Sequence, residues 1–178
     1  MVAPILETPR LLLRQWVSTD LEPWVVMSSD PITMKFYPAP HTADHARNTF
    51  ERNRDFLAAN HFGLWAVEEK CSNRFIGYTG IAERNHDGIA FMPCYEIGWR
   101  LYRDFWGMGY ATEGAQAVMH YATNVPALKV LFSYTSRLNE PSINVMRKIG
   151  LMPRVELDFD HPEIEEGHPL RPHIVYSS

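Results

Sequence analysis

Residues 95–121 read YEIGWRLYRDFWGMGYATEGAQAVMHY, and the rest of the chain is best understood around them. Tyr95, Ile97, Trp99 and Leu101 alternate with Glu96, Gly98 and Arg100, which is the period of a strand with two differently used faces. A short loop leads into Trp106-Gly107-Met108-Gly109-Tyr110-Ala111 and then a helix. That helix carries Ala111, Ala115, Val118, Met119 and Ala122 at helical spacing, a stripe small enough to pack close to a sheet. Two glycines one residue apart let successive backbone N–H groups turn inward, and the helix N-terminus behind them adds partial positive charge. Such a turn suits a pyrophosphate and predicts a nucleotide-bearing cofactor.

The 178 residues suffice for one domain with a sizeable core, and no Pro/Gly/Ser-rich linker divides them, so a single domain over 1–178 is expected. The formal net charge of -4 offers no basic footprint for nucleic acid while tolerating a cationic amine. Cys71 and Cys94 lack CxxC spacing, which argues against a disulfide framework or a cysteine zinc site and favours a reducing compartment. No run is apolar and long enough to serve as a signal peptide or span a bilayer, so a cytoplasmic protein without a membrane partner is expected.

Upstream, the apolar run within 6–14 predicts a first strand, and Ser18, Thr19 and Asp20 offer capping oxygens for a short helix over 21–27 with Pro23 in its first turn. Thr42 can cap a second helix with Ala46, Phe50, Phe56 and Leu57 on one side. From Phe62 the period falls toward two, and FGLWAVEE, KCSNR and FIGYTGI predict a hairpin. Downstream, 128–134 is rich in β-formers and predicts a strand. Asn139 or Glu140 as cap, Pro141 in the first turn and Gly150 past the end bound a helix. Strands at 155–159 and 173–176 close the chain, separated by a turn-rich stretch.

Three stretches resemble the GNAT N-acetyltransferases, in the branch similar to the ribosomal-protein N-terminal (serine/alanine) acetyltransferases. Residues 106–113, WGMGYATE, match that branch's form of the cofactor loop, although Trp106 stands where the wider family has Gln or Arg. Thr8-Pro9-Arg10-Leu11-Leu12-Leu13-Arg14 resembles its usual start. Asn139, Ser142, Lys148 and Gly150 match a later pattern, with Leu151 in place of Phe. The resemblance covers nearly the whole chain. It implies an α+β (mixed α/β) GNAT fold: a mostly antiparallel twisted sheet of about seven strands, about four flanking helices, and a splay at the cofactor loop.

The resemblance also implies acetyl-CoA as co-substrate and direct transfer of its acetyl group to a primary amine, of a protein N-terminus or a small molecule, in a ternary complex. The protein would be a monomer or homodimer. Trp106, Gly107, Met108, Gly109, Tyr110, Ala111 and Thr112 would hold the pyrophosphate. Ile97, Gly98 and Trp99 would meet the pantetheine amides, with Asn139 and Ser142 also contacting the cofactor. The usual proton donor to sulfur falls on Met146, which has no proton to give. Ser142, the branch's alternative, would donate a hydrogen bond to the thiolate, or else only begin its helix, and Asn139 has the same ambiguity.

Glu96 is the first candidate for a base, against the plainer reading of a carboxylate on a solvated strand face. Glu113 is set aside because the helix dipole accounts for an acid in a first turn. His161, Glu163, Glu165, Glu166, His168 and His173 fit no common zinc spacing, and no metal is expected. That segment is either a shaped loop beside the acceptor cleft or an exposed hairpin. Trp16, Trp24, Phe36 and Tyr37 belong to the cleft or to the core. A non-catalytic acyl-CoA-binding module is the alternative to an enzyme, while a phosphotransferase lacks its Gly-Lys-Ser/Thr ending.

Overall fold

The computed structural model describes residues 3–178. Its first strand is a tight hairpin rather than one run: β1 (Leu6–Glu7) pairs antiparallel with β2 (Leu11–Arg14), Leu6 opposite Leu13. The Thr8 N–H bonds to the Leu11 carbonyl at 3.0 Å, and Pro9, with no N–H to offer a ladder, sits at the turn. β3 (Leu64–Glu69), β4 (Arg74–Arg84) and β5 (Cys94–Leu101) follow as an antiparallel meander, and the predicted hairpin turns at 70–73.

Consecutive residues of β4 sort the two layers of helices. Tyr78 faces α1 (Leu21–Ser29) and α2 (Ala43–Ala59), its ring 5.8 Å from that of Trp24. Thr79 faces α3 (Tyr110–Ala122), where a Cβ on Gly114 would come within 3.0 Å of the Thr79 methyl, so the small helix residue sets how closely α3 can lie. Trp24, Phe50 and Leu57 are buried on the first side and Ala115 and Val118 on the second, with Leu11, Leu13, Trp65, Ile76, Ile81 and Ile97 in the sheet between. Each large apolar side chain taken from water there contributes about 1.5–3 kcal/mol.

β6 (Phe132–Ser136) lies parallel to β5, and the two are in register at one position, Glu96 opposite Phe132. β6 pairs along its length with β9 (Pro172–Ser177), which also carries β7 (Met152–Pro153) and β8 (Phe159–Asp160). α4 (Glu140–Lys148) connects β6 to β7. The strand order is β1-β2-β3-β4-β5-β6-β9-β7, with β8 on β9. There are nine strands against about seven expected, and three of the nine, β1, β7 and β8, have only two residues each.

Two predicted strands begin elsewhere. In 128–134 the buried residues are Leu128, Leu131 and Ser133, the first two of them three apart, with Val130 half exposed. That spacing belongs to a turn, and a 3-10 turn at Pro126–Leu128 precedes β6. In 155–159 the apolar alternation is misleading, since Val155 is 73% exposed. The Leu157 N–H bonds to Arg154 O and Asp158 N–H to Val155 O, closing a 3-10 turn, while the Asp158 carboxylate accepts the Val175 N–H that a strand would have bonded.

Candidate active site

Past Glu96 the strands β5 and β6 diverge, opening the sheet beside Ile97, Gly98 and Trp99. The chain leaves β5 through a 3-10 turn at Arg103–Phe105 into the glycine loop, where Gly107 (φ +75°) and Gly109 (φ +81°) both occupy the left-handed region that residues with a Cβ avoid. Gly109 is the N-cap of α3, and the first intrahelical bond runs from the Glu113 N–H to Gly109 O at 3.0 Å. The N–H groups of Tyr110, Ala111 and Thr112 lie ahead of that bond, with no intrahelical acceptor and at the positive end of the helix dipole. An anion fits there. The Trp106 indole N–H donates to Leu101 O at 2.7 Å and anchors the loop to the end of β5, while Met108 is half exposed.

Side chains from distant positions hold this loop. Glu113 accepts from the Thr8 hydroxyl at 2.6 Å, the Arg10 N–H at 2.9 Å and Arg10 Nε at 2.7 Å, and Arg10 Nη1 donates to Met108 O at 2.9 Å. Burial works to raise the Glu113 carboxyl, but the bonds from Thr8 and Arg10 outweigh it and leave it lowered. Glu113 is therefore fully engaged in the scaffold, which is more than a dipole partner. The Tyr110 side chain turns inward and donates to Glu69 Oε1 at 2.6 Å, so only its backbone faces the loop.

On the same side, Asn139 caps α4. Its Oδ1 accepts the Ser142 N–H at 3.3 Å and its Nδ2 donates to Thr135 Oγ1 at 2.9 Å, which commits the whole side chain to joining β6 and α4. Ser142 is half-buried in the first turn, and Met146, at the position of the usual acid, is buried in the core.

The opposite face of β5 borders a different space. Glu96, Gly98 and Arg100 share it with Tyr78, Ala82 and Arg84. Glu96 is not on a solvated face: its side chain is 14% exposed and pairs with Arg84 at 2.5 Å, whose guanidinium it pushes upward in pKa. A Cβ on Gly98 would meet only Glu96 Oε1, at 3.9 Å, so the face is open between Glu96 and Arg100. Between this face and α2 lies a cavity of about 360 Å³, lined by Trp24, His41, Asn53, Tyr78, Arg84 and Arg100 among others. A depression of about 530 Å³ between β1 and the outer side of α3 is larger, but no residue of the splay or the glycine loop lines it.

Arg100 is caged by aromatic rings, its guanidinium 4.1 Å from the Tyr37 ring centroid and 5.6 Å from those of Trp24 and Tyr78. Its Nε reaches the Tyr37 hydroxyl at 3.3 Å, while its buried Nη1 has no partner. His41 Nδ1 and Asn53 Nδ2 are likewise buried and unpartnered. Leaving such a group unsatisfied costs about 1–3 kcal/mol. Burial, then the charges of Arg100 and His45, pushes His41 down to about 4 and keeps it neutral near pH 7.

The tail folds over the far end of the sheet rather than projecting. Phe91 stacks on Phe132 with centroids 4.9 Å apart, and Phe159 and His173 pack on Tyr134, with His161 against both of them. Burial chiefly, then the Glu96 charge, raises the Tyr134 hydroxyl. Among the described residues no group of three or more His, Cys, Asp or Glu is arranged to hold a metal, and no described helix is long and apolar enough to cross a membrane. Trp16 is a core residue, edge-on to Trp24 and Phe50, whereas Trp24 and Tyr37 border Arg100 and Phe36 is half-buried.

Glu96 and the loop are candidates from the sequence; Arg100, His41 and Asn53, which the fold gathers around one cavity, are not. The available signal was Arg100 itself, a charge at the same strand parity as Glu96 and Gly98. His41 and Asn53 carry no local signal, because only the packing of α2 over β4 brings them there.

A model of the acetyltransferase (GNAT) domain matches residues 10–152, and the chain belongs to the GNAT acetyltransferase family. One relative is the FsC-acetyl coenzyme A-N(2)-transacetylase of Aspergillus fumigatus, 39% identical over 176 residues, covering 92% of this chain and 73% of the relative. An acetyltransferase of Agrobacterium tumefaciens superposes with a TM-score of 0.77 at 26% identity, over 100% of this chain and 95% of that one. The ribosomal-protein-S5-alanine acetyltransferase of Vibrio fischeri shares the fold, with a TM-score of 0.72 at 14% identity over 98% and 96% of the two chains.

Proposed function

We propose that this chain, as a single domain over 1–178, transfers the acetyl group of acetyl-CoA to a primary amine by direct attack in a ternary complex. The observation that carries the reading is the one-position pairing of β5 with β6 at Glu96 and Phe132, followed by a loop with both Gly107 and Gly109 at positive φ. An amide-bearing arm fits as an added strand in such an opening and ends at an anion site. Ile97, Gly98 and Trp99 meet the pantetheine, and the backbone from Trp106 to Thr112 holds the pyrophosphate. The acetyl-CoA named for the Aspergillus relative supports the same donor here.

Orientation supplies most of the rate, since an amine held against a thioester carbonyl is already reactive. An acceptor arriving as ammonium gives one proton to Glu96, directly or through a water. The nitrogen then bonds to the carbonyl carbon while a β5 N–H bonds the developing oxyanion. The C–S bond breaks, and the second proton from nitrogen goes to the departing thiolate, which the Ser142 hydroxyl meets with a hydrogen bond. Asn139 positions Ser142 through the cap. The acceptor is the amine of a protein N-terminus or of a small molecule, and the protein works in the reducing cytoplasm, as a monomer or homodimer, without a metal.

Incubating the protein with acetyl-CoA and a panel of amines, while following free thiol and acetylated product, tests this. Thiol release is expected to depend on the amine and match product one to one. Tight acetyl-CoA binding without any amine-dependent release would leave a non-catalytic acyl-CoA-binding module instead.

A further inference from the structure

We propose that the cavity between α2 and the β4–β5 face binds an oxyanion carried by the acceptor, so that the acceptor is a small amino carboxylate with its anionic end at Arg100, Asn53 and His41. This rests on the reading that the chain acetylates an amine, and it names the class of that amine.

Arg100 makes no ion pair among the described residues, although Glu96 lies four residues away on the same strand face. Glu96 is already matched by Arg84, which also lines the cavity. What remains buried is one cation, since Arg52, which also lines the cavity, is exposed; Arg100 is enclosed by the faces of Tyr37, Trp24 and Tyr78, with an unpartnered Nη1. These rings remove water from the guanidinium and supply one acceptor oxygen, the Tyr37 hydroxyl at Nε, which leaves Nη1 without one. Asn53 Nδ2, a donor only, is unpartnered in the same wall, as is His41 Nδ1. Buried donors without acceptors are rare in folded proteins, and two of them, Arg100 Nη1 and Asn53 Nδ2, around one cavity mark the place of a missing acceptor group, beside a neutral His41 whose Nδ1 can donate in one tautomer.

Its charge and size follow. One unmatched buried cation calls for a monoanion, and the two oxygens of a carboxylate answer the Arg100 and Asn53 donors. A volume of about 360 Å³ lies at the small end of ligand pockets. Arg84 and Arg100 line the cavity, Glu96 is paired to Arg84 on the same strand face, and Gly98 puts no side chain between Glu96 and Arg100, so a small molecule with its anion at Arg100 has its other end toward the proton acceptor. Phosphate and sulfonate present related chemistry with more oxygens, and the experiment separates them.

The test measures kcat/KM by thiol release for glycine, 4-aminobutyrate, 5-aminopentanoate and glutamate, each beside its carboxamide, with phosphoethanolamine, taurine and N-terminal peptides as further arms. At least one carboxylate is expected to exceed its carboxamide by tenfold or more. That contrast should shrink to within about threefold in Arg100→Gln and weaken in Asn53→Ala, with KM for acetyl-CoA unchanged. Calorimetry of the preferred carboxylate with the CoA-loaded protein should show Arg100-dependent binding, a readout that needs no turnover, and Asn53→Ala serves if Arg100→Gln does not fold.

Equal use of carboxylates and carboxamides, preference for the phosphate or sulfonate, acetylation confined to peptides, or a contrast that survives in both variants would overturn the assignment. If amines are acetylated without regard to carboxylate, acetyl transfer stands and this inference falls. If no amine releases thiol yet a carboxylate binds in an Arg100-dependent way, the anion site stands and acetyl transfer falls.

Discussion

Arg10 and Glu113, 103 positions apart, are joined twice, the Arg10 backbone N–H and its guanidinium each bonding the Glu113 carboxylate, with Nη2 at 2.6 Å. The first hairpin is thereby fastened to the first turn of α3, and Arg10 Nη1 holds the loop in between through Met108 O. Side-chain exposure is 47% for Arg10 but 16% for Glu113, so the carboxylate is the costlier partner to remove. Glu113→Ala should destabilise the protein by about 2 kcal/mol, since it strands the Arg10 N–H and leaves the Thr8 hydroxyl only its longer bond to Leu11 O. Arg10→Ala should cost less in stability but raise KM for acetyl-CoA by loosening the loop. Urea denaturation and initial rates check both, and a double-mutant cycle should show coupling of about 1 kcal/mol.

The two loop glycines should respond unequally to substitution. At Gly107 a Cβ would meet nothing within 4 Å, so Gly107→Ala carries only backbone strain, about 1–2 kcal/mol. At Gly109 the Cβ would also meet Arg10 Nη2 at 3.4 Å, and a large side chain would stand where the pyrophosphate is proposed to lie. Gly109→Leu is expected to weaken acetyl-CoA binding at least tenfold by calorimetry. A folded variant with unchanged affinity would sink the cofactor-loop assignment.

Asn139 and Ser142 share one cap, yet substitution should separate their roles. Asn139→Ala loses the cap and the bond to Thr135, and its expected signature is lower stability, about 1 kcal/mol. Ser142 contributes its backbone N–H to that cap, which Ser142→Ala retains. A thiolate contact therefore predicts a fall in kcat of about 10²-fold with nearly wild-type stability and KM for acetyl-CoA. Intact turnover in Ser142→Ala would reduce the serine to the start of a helix.

Much of this architecture could be read from local signals. The 62–81 hairpin, the cap at Thr42, the glycine turn and the Pro141 to Gly150 helix all depend on residues near one another, where period and turn chemistry decide. The misreadings share a cause. At 128–134 a run of β-formers and at 155–159 an apolar alternation pointed to strands, but neighbouring chain had already settled which backbone groups bond, and Asp158 took the place of a strand partner. The site divides similarly. Gly107 and Gly109 announce themselves, whereas Arg100 becomes informative only once α1 and α2 bring Trp24, Tyr37, His41 and Asn53 around it.

Acid should destabilise the fold in two stages. Burial, then neighbouring positive charge, holds His41 and His161 down to about 4 from their ordinary 6.5, and burial lowers His173 as well. Near pH 5 His41 and His161 are neutral when folded but take up protons when unfolded, about two in all, so stability falls as pH drops from 6.5 toward 4. Glu113 and Glu69 act lower. Both carboxyls lie below their ordinary 4.5, Glu69 through bonds from Ser72 and Tyr110 and Glu113 through those from Thr8 and Arg10 that overcome its burial. Their contribution is complete above 4.5 and is lost as pH falls through the folded values. The thermal midpoint measured from pH 7 to 3 should therefore begin to decline near 6.5, ahead of any carboxylate titration. His161→Asn should flatten the upper stage alone. A midpoint level from pH 7 to 5 would show that the histidines are not held neutral, and with that the packing of the tail against Tyr134 and Phe159 would have to be redrawn.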